Sequence, residues 1–153
     1  MLNSMLPRIY LAGGMKCEIE GAPWRDRVMN HPELVDLDIH WLDPRDNDQT
    51  AREVYTRQDM HMCTQADIIF LYMSDDNPVG YNAAFECGIG WQAGASLVSI
   101  VEPSRKGYDM IEEMSTSLSD EFHQGCAFLR DAILKPAPRK EIGIYEYVSS
   151  TKR

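Results

Sequence analysis

The sequence predicts an α/β protein: a doubly wound, flavodoxin-like parallel sheet of five strands flanked by helices. Short apolar runs rich in β-branched and aromatic residues alternate with longer segments of helical period, which is the pattern of such a sheet. The clearest strand, residues 67–73, is apolar throughout after its first residue, as suits a strand buried on both faces. A chain of 153 residues can form one core, so we expect a single domain over residues 1–153.

The individual elements follow from these runs in chain order. The predicted strands span residues 8–12, 35–42, 67–73, 96–101 and about 115–118. The predicted helices span residues 23–31, 50–65, 82–94, 108–114 and 119–134, the second with Thr50 as N-cap. The proline-marked tail from Lys135 ends in an aromatic segment, residues 142–148, which we expect to dock on the body or on another subunit.

Right-handed connections between consecutive strands favour the strand order 2-1-3-4-5. Ligands of open parallel sheets bind beyond the carboxyl ends of the strands, where the order reverses, here between the first and third strands. The loop after the first strand contains Gly13 and Gly14, and the loop after the third leads through Gly80 to Asn82. These four residues are therefore candidates for substrate binding, although plain turns would also explain the glycines.

Composition excludes several classes of partner. The net charge is -9 and no basic block occurs, so polymeric nucleic acid and anionic membranes are poor partners. No segment approaches the length of a membrane helix, and we expect a cytoplasmic protein. The four cysteines are widely spaced, which predicts reduced, mostly buried thiols, and neither they nor the histidines have the spacing of metal ligands.

Glu86 is the first candidate for catalysis. It is predicted to lie in or near the first turn of its helix, where the positive end of the dipole favours an ionised carboxylate. A helical glutamate is usually a solvated surface residue, but the neighbours of Glu86 at helical spacing are mostly small or apolar. Those neighbours are Asn82, Ala83, Ile89, Gly90 and Ala93. A functional role and a structural one therefore both remain open on position alone.

Asp59 is the second candidate. Alone it would be interpreted as a solvated helical aspartate near Arg52 and Arg57. Its helix leads into the third strand, so it can line the same edge of the sheet as Glu86. Two carboxylates that face one cleft are the usual apparatus of glycosidic chemistry.

Three segments resemble the nucleoside 2-deoxyribosyltransferase family over roughly residues 8–101. They are "IYLAGGM", then Asp59 with "ADIIFLYM" eight residues on, and "NPVGYNAAFECGIGWQAGASLVSIV". The resemblance implies that Glu86 is the nucleophile that takes the deoxyribosyl group. It further implies that Tyr10 hydrogen-bonds the nucleophile and that Asp59 serves the departing base.

The resemblance also implies less direct roles. The family's Asp-x-Gly-Thr is replaced here by "PVGYNAAFE", so Asp75 or Asp76 is the candidate for the sugar-binding aspartate. Glu112 falls near the asparagine that a neighbouring subunit supplies, and the family's homo-oligomers imply a dimer or hexamer. Asp43 and Arg45 follow the second strand, where the family contacts the base.

The leading interpretation is a retaining enzyme that transfers a 2-deoxyribosyl group between nucleobases through a covalent intermediate on Glu86. The alternatives are an N-glycoside hydrolase of (deoxy)nucleoside 5′-monophosphates and a non-catalytic binder of a nucleotide-like ligand. None of these activities requires a metal or an organic cofactor. A nucleoside and a nucleobase are preferred to a nucleotide as partners, because residues 74–82 carry two acids and a single serine and so lack donors for a phosphate.

Overall fold

A computed structural model describes residues 5–77 and 80–138, so the predicted aromatic segment at 142–148 lies outside the described residues. Five strands form a parallel sheet in the order β4-β1-β5-β6-β7, and two short strands, β2 and β3, form an antiparallel hairpin. The strands are β1 (Arg8–Gly13), β2 (Glu18–Ile19), β3 (Ala22–Pro23), β4 (His40–Leu42), β5 (Ile68–Met73), β6 (Ser96–Val101) and β7 (Ser117–Ser119). The central order is the predicted 2-1-3-4-5, and the flavodoxin-like fold class is confirmed.

Helices cover both faces of this sheet. They are α1 (Trp24–Met29), α2 (Arg52–Gln65), α3 (Tyr81–Gln92), α4 (Asp109–Met114) and α5 (Phe122–Leu134). On one face, side chains of α1 and α5 pack on alternate residues of β1, β5 and β6. On the other face, α2, α3 and α4 pack on the intervening residues. Because both faces are covered, every residue of β5 is buried, as its apolar run predicted.

Two predicted boundaries are wrong in detail. The strand expected at 35–42 is limited to His40–Leu42, because residues 32–36 form turns instead. Thr50 is not the N-cap of α2, which begins at Arg52 after Ala51. The reason is local: the backbone N–H and hydroxyl of Thr50 both donate to Asp48, at 2.9 and 2.6 Å, in a turn that precedes the helix.

The small residues of α3 allow the helix to lie close to the sheet. A Cβ atom at Gly90 would stand 2.6 Å from the side chain of Ile69 in β5 and 3.3 Å from the carbonyl oxygen of Cys63 in α2. Ala83 and Cys87 are buried on the same side of the helix. This close packing brings α3 against both β5 and α2, which sets the position of Glu86.

The predicted state of the cysteines is confirmed, since all four are buried free thiols. Within the two described ranges, no helix is long and apolar enough to cross a membrane.

Candidate active site

A cavity of about 340 Å³ opens at the carboxyl ends of β1 and β5, the predicted switch point of the sheet. Its volume is in the range of small-molecule sites. The loops after β1 and β5 form part of its wall, and α2, α3, Arg25 of α1 and the segment after β4 form the rest. Among its lining residues are six predicted for the site, namely Gly13, Gly14, Asp59, Gly80, Asn82 and Glu86.

Glu86 occupies the wall that α3 forms. The helix begins at Tyr81, so Glu86 stands in its second turn, where the prediction had placed it in or near the first turn. The expected stabilisation of its anion is wrong. Burial, reinforced by the negative charge of Asp59, raises the pKa of Glu86 to about 7, against the opposing effects of the Tyr10 hydroxyl and of Arg25. Near neutral pH this carboxyl group therefore exchanges its proton readily.

Asp59 enters the cavity from α2 and is 9% exposed. Its Oδ1 accepts a hydrogen bond of 2.7 Å from the Asn47 side-chain amide. Burial raises the pKa of Asp59, while the Asn47 hydrogen bond and the charge of Arg25 oppose this change. Both acids of the cavity thus hold a proton more strongly than free carboxyl groups do, which is a property of groups that transfer protons in enzymes.

Tyr10, on β1, is fully buried and does not line the cavity, but it lies within reach of the charges of Glu86 and Asp59. Burial, and then the negative charge of Glu86, raise the pKa of its hydroxyl group far above the usual value, so the group stays protonated. The hydroxyl lies close enough to Glu86 to lower the pKa of that carboxyl group, yet it forms no hydrogen bond of good geometry with any described residue. A buried hydroxyl group without a hydrogen-bond partner is costly, so this group is available to a carboxylate or a ligand beside it.

Asp43 and Arg45 are not brought into the cavity. Asp43 is buried, and its carboxylate accepts hydrogen bonds from the backbone and side chain of Arg45 at 2.6 to 2.9 Å. Arg45 also donates to Asp26 on α1, at 2.7 Å. The two side chains form hydrogen bonds with each other beside the cavity. Their contact with a base stays a prediction.

Asp75, Asp76 and Glu112 also lie outside the cavity wall. Asp75 accepts hydrogen bonds from the backbone and hydroxyl groups of Ser104, which ties the loop after β5 to the loop after β6. Asp76 is exposed, and Glu112 is exposed on α4. The roles of these residues toward a sugar or a neighbouring subunit stay predictions.

The structure adds five polar or charged residues to the wall that the sequence did not single out as site residues: Arg25, Gln49, Tyr55, Asn77 and Tyr81. One signal was available for Tyr55, because it lies four residues before Asp59 and therefore on the same face of α2. Arg25 reaches the cavity from α1 and Asn77 from the loop after β5, and no local pattern marks either residue.

Fold and site together define a flavodoxin-like α/β protein with paired carboxylates at the switch point of its sheet. The fold is similar to that of a 2-deoxyribosyltransferase from the bacterium Bacillus psychrosaccharolyticus (TM-score 0.59, 19% identity), over 76% of this chain and 88% of that one. It is also similar to the 2-deoxyribosyltransferase of Leishmania mexicana, with a TM-score of 0.59 and 19% identity over 82% of this chain and 97% of that one.

A CMP N-glycosidase from Clostridium botulinum shares the fold as well, with a TM-score of 0.55 and 14% identity over 80% of this chain and 96% of that one. No protein-family model and no curated protein matches the sequence. The resemblance drawn from the sequence motifs is therefore confirmed at the level of the fold.

Proposed function

We propose that this protein cleaves the N-glycosidic bond of a 2-deoxynucleoside and transfers the 2-deoxyribosyl group to a second nucleobase. The observation that carries the proposal is that Glu86 and Asp59 line one cavity, with the buried hydroxyl group of Tyr10 close to Glu86. These residues come from three separate elements, α3, α2 and β1, and only the fold brings them together. The likeness of the fold to two 2-deoxyribosyltransferases supports the same chemistry.

The reaction would proceed by two displacements. In the first, the Glu86 carboxylate bonds to C1′ of the sugar, the bond from C1′ to the base nitrogen breaks, and the electron pair leaves with the base. Asp59 in its protonated form donates a proton to that base as it departs. In the second, a nitrogen of the incoming base bonds to C1′, the ester to Glu86 breaks, and the incoming base gives its proton to Asp59. Two inversions retain the configuration at C1′.

The charge of the cavity favours a nucleoside over its monophosphate. Arg25 is the one cationic side chain on the wall among the described residues, and its donors already bind backbone carbonyl groups. Two carboxyl groups, Glu86 and Asp59, share that wall. A phosphate dianion would meet few free donors and considerable repulsion there.

Hydrolysis of a nucleotide is the second candidate, because the fold also resembles a CMP N-glycosidase. In that reaction water would replace the second base in the second displacement. Arg52 lines an adjoining pocket together with Asp59 and Glu86, and its charge could serve a phosphate in this case.

Base exchange distinguishes the candidates. The protein is incubated with a 2-deoxynucleoside and a different free base, and in parallel with the matching 5′-monophosphate, and products are separated by chromatography. Transfer predicts a new β-nucleoside from the first mixture, with a lower kcat/KM for the monophosphate. Hydrolysis predicts free sugar phosphate from the second mixture, and no turnover of either substrate would favour a non-catalytic binder.

The nucleophile is tested separately. In Glu86→Ala, base exchange should fall by several orders of magnitude, because the covalent intermediate can no longer form. Glu113→Ala, which removes an exposed glutamate on α4, is the matched control and should keep full activity. A 2-fluoro-2-deoxy nucleoside should label the wild-type chain on the peptide that contains Glu86. Label on a different acid would contradict this assignment.

A further inference from the structure

Arg25 is buried beside the cavity, with 2% of its surface exposed. It extends from α1 to the end of β1, where its guanidinium group donates hydrogen bonds to three backbone carbonyl oxygens. Nε and Nη2 donate to the carbonyl oxygen of Leu11 at 3.2 and 3.1 Å, Nη2 to that of Gly13 at 3.0 Å, and Nη1 to that of Gly14 at 3.1 Å. One planar group therefore holds the whole turn that forms this wall of the cavity.

Neighbouring groups keep the guanidinium in place. It stacks on the Trp24 ring, with 4.6 Å between its central carbon and the ring centroid, and the Trp24 indole N–H donates to Gly14 at 2.8 Å. The buried carboxylate of Asp43 lies 3.7 Å from Nε. The glycine turn is equally confined, because a Cβ atom at Gly13 would stand 2.5 Å from the Tyr72 carbonyl oxygen. The turn and the arginine thus form one rigid unit.

The same guanidinium is a positive charge next to two acids. Of the residues that line the cavity in the described part of the chain, Arg25 alone is cationic, and Glu86 and Asp59 are the anionic ones. Its fork of donors and its permanent charge are both properties that lysine shares only in part.

We propose that Arg25 is a positioning residue for this site: it holds the Gly13–Gly14 turn in the shape that receives the substrate and supplies the positive charge that the two acids share. The proposal rests on the proposed function for its kinetic consequences and not for its electrostatic ones. A purely structural arginine would hold the turn without affecting how the acids ionise.

The charge of Arg25 affects the ionisation of both acids. Arg25 opposes the effect of burial on the pKa of Glu86 and on that of Asp59. Removing its charge should therefore leave both acids protonated to higher pH. Within the described residues, the titratable and charged groups that face Glu86 are Tyr10 from β1, Arg25 from α1, Arg52, Tyr55, Asp59 and Cys63 from α2, and Cys87 from α3.

Three variants test the proposal. Arg25→Gln removes the charge and most donors, and Arg25→Lys keeps the charge but not the fork. Arg27→Gln is the matched control, because Arg27 lies on the same helix and also donates to backbone carbonyl groups, those of Ile19 and Glu20, away from the cavity. The readouts are thermal unfolding, steady-state base exchange, and NMR titration of glutamate carboxyl carbons, with Glu86 assigned from its absence in Glu86→Gln.

In Arg25→Gln the titration midpoint of Glu86 should move to higher pH by about one pH unit, the lower end for loss of a close opposite charge. At pH 7 the ionised fraction would then fall about fivefold, and kcat with it. Arg25→Lys should keep the wild-type titration but raise KM, because a single ammonium group cannot hold three carbonyl oxygens. Arg27→Gln should change neither.

An unmoved Glu86 titration in folded Arg25→Gln would overturn the electrostatic role. If that variant does not fold, Arg25→Lys decides the question, and a wild-type KM there would overturn the positioning role. The titration is measured without substrate, so it still tests Arg25 if no base exchange is found and the proposed function fails.

Discussion

Replacing Glu86 by glutamine should stabilise the fold above neutral pH and leave it almost unchanged near pH 4.5. Burial and the charge of Asp59 raise the pKa of Glu86 from 4.5 to about 7, so between these values the folded chain binds a proton that the unfolded chain releases. Wild-type stability must therefore fall as pH rises through this window. Glutamine has the same length and no charge, so the stability of the variant does not fall with pH for this reason.

The magnitude follows from the difference of about 2.5 pH units, at about 1.4 kcal/mol for each, which sets an upper limit of about 3.5 kcal/mol. The open side of the cavity admits solvent, so we expect about 2 kcal/mol at pH 8. For a chain of this size that corresponds to a rise in Tm of roughly 4 to 8 °C.

Urea and thermal unfolding of wild type and Glu86→Gln at pH 5, 6, 7 and 8 would measure the effect. The difference in free energy of unfolding should grow with pH and level off above pH 7. Other titrating groups are common to both chains and cancel in the difference. Glu113→Gln, at an exposed position on α4, is the control and should show no such trend. An advantage of Glu86→Gln that is equal at pH 5 and pH 8, or absent at both, would refute the argument.

Two further predictions concern the acid pair and the packing of α3. Asp59→Asn should lower the turnover of base exchange by about 10², as for a lost general acid, and wild-type rates in this variant would remove Asp59 from the mechanism. Gly90→Ala should cost about 1 to 3 kcal/mol, because its Cβ would collide with Ile69, whereas Gly88→Ala meets nothing within 4 Å and should gain about 0.5 to 1 kcal/mol. Chemical denaturation of Gly90→Ala and Gly88→Ala measures both changes in the free energy of unfolding. Equal effects would show that the close packing of α3 on the sheet does not require glycine at position 90.

Much of the fold could be predicted, because the strands that form the middle of the sheet are buried on both faces. The apolar run of β5 predicts that this strand is buried on both faces. The alternation of strands with helical segments then leaves few possible strand orders. Prediction failed where local interactions compete. Residues 32–36 form turns instead of extending β4, and the Asp48 side chain takes the donors of Thr50.

The candidate site divides in the same way. Glu86 and Asp59 could be proposed because each stands on a helix that the sheet order directs to one edge, and Tyr10 because a family resemblance marked it. Asp43 and Arg45 were equally close in sequence to that edge, but they bind each other and Asp26. Which polar side chains face a cavity and which satisfy each other depends on distances of a few ångströms, to which sequence spacing is insensitive.

The sequence by itself determined the parallel sheet, its switch point, the buried cysteines and the pair of acids near the ends of β1 and β5. Apolar periodicity and chain connectivity carry that information, since both are properties of neighbouring residues. Only the tertiary structure decided that Glu86 stands in the second turn of α3, that its pKa rises to about 7, and that Arg25 closes the turn after β1. Those properties arise from desolvation and from charges on α1, α2 and β1, segments that folding alone brings together.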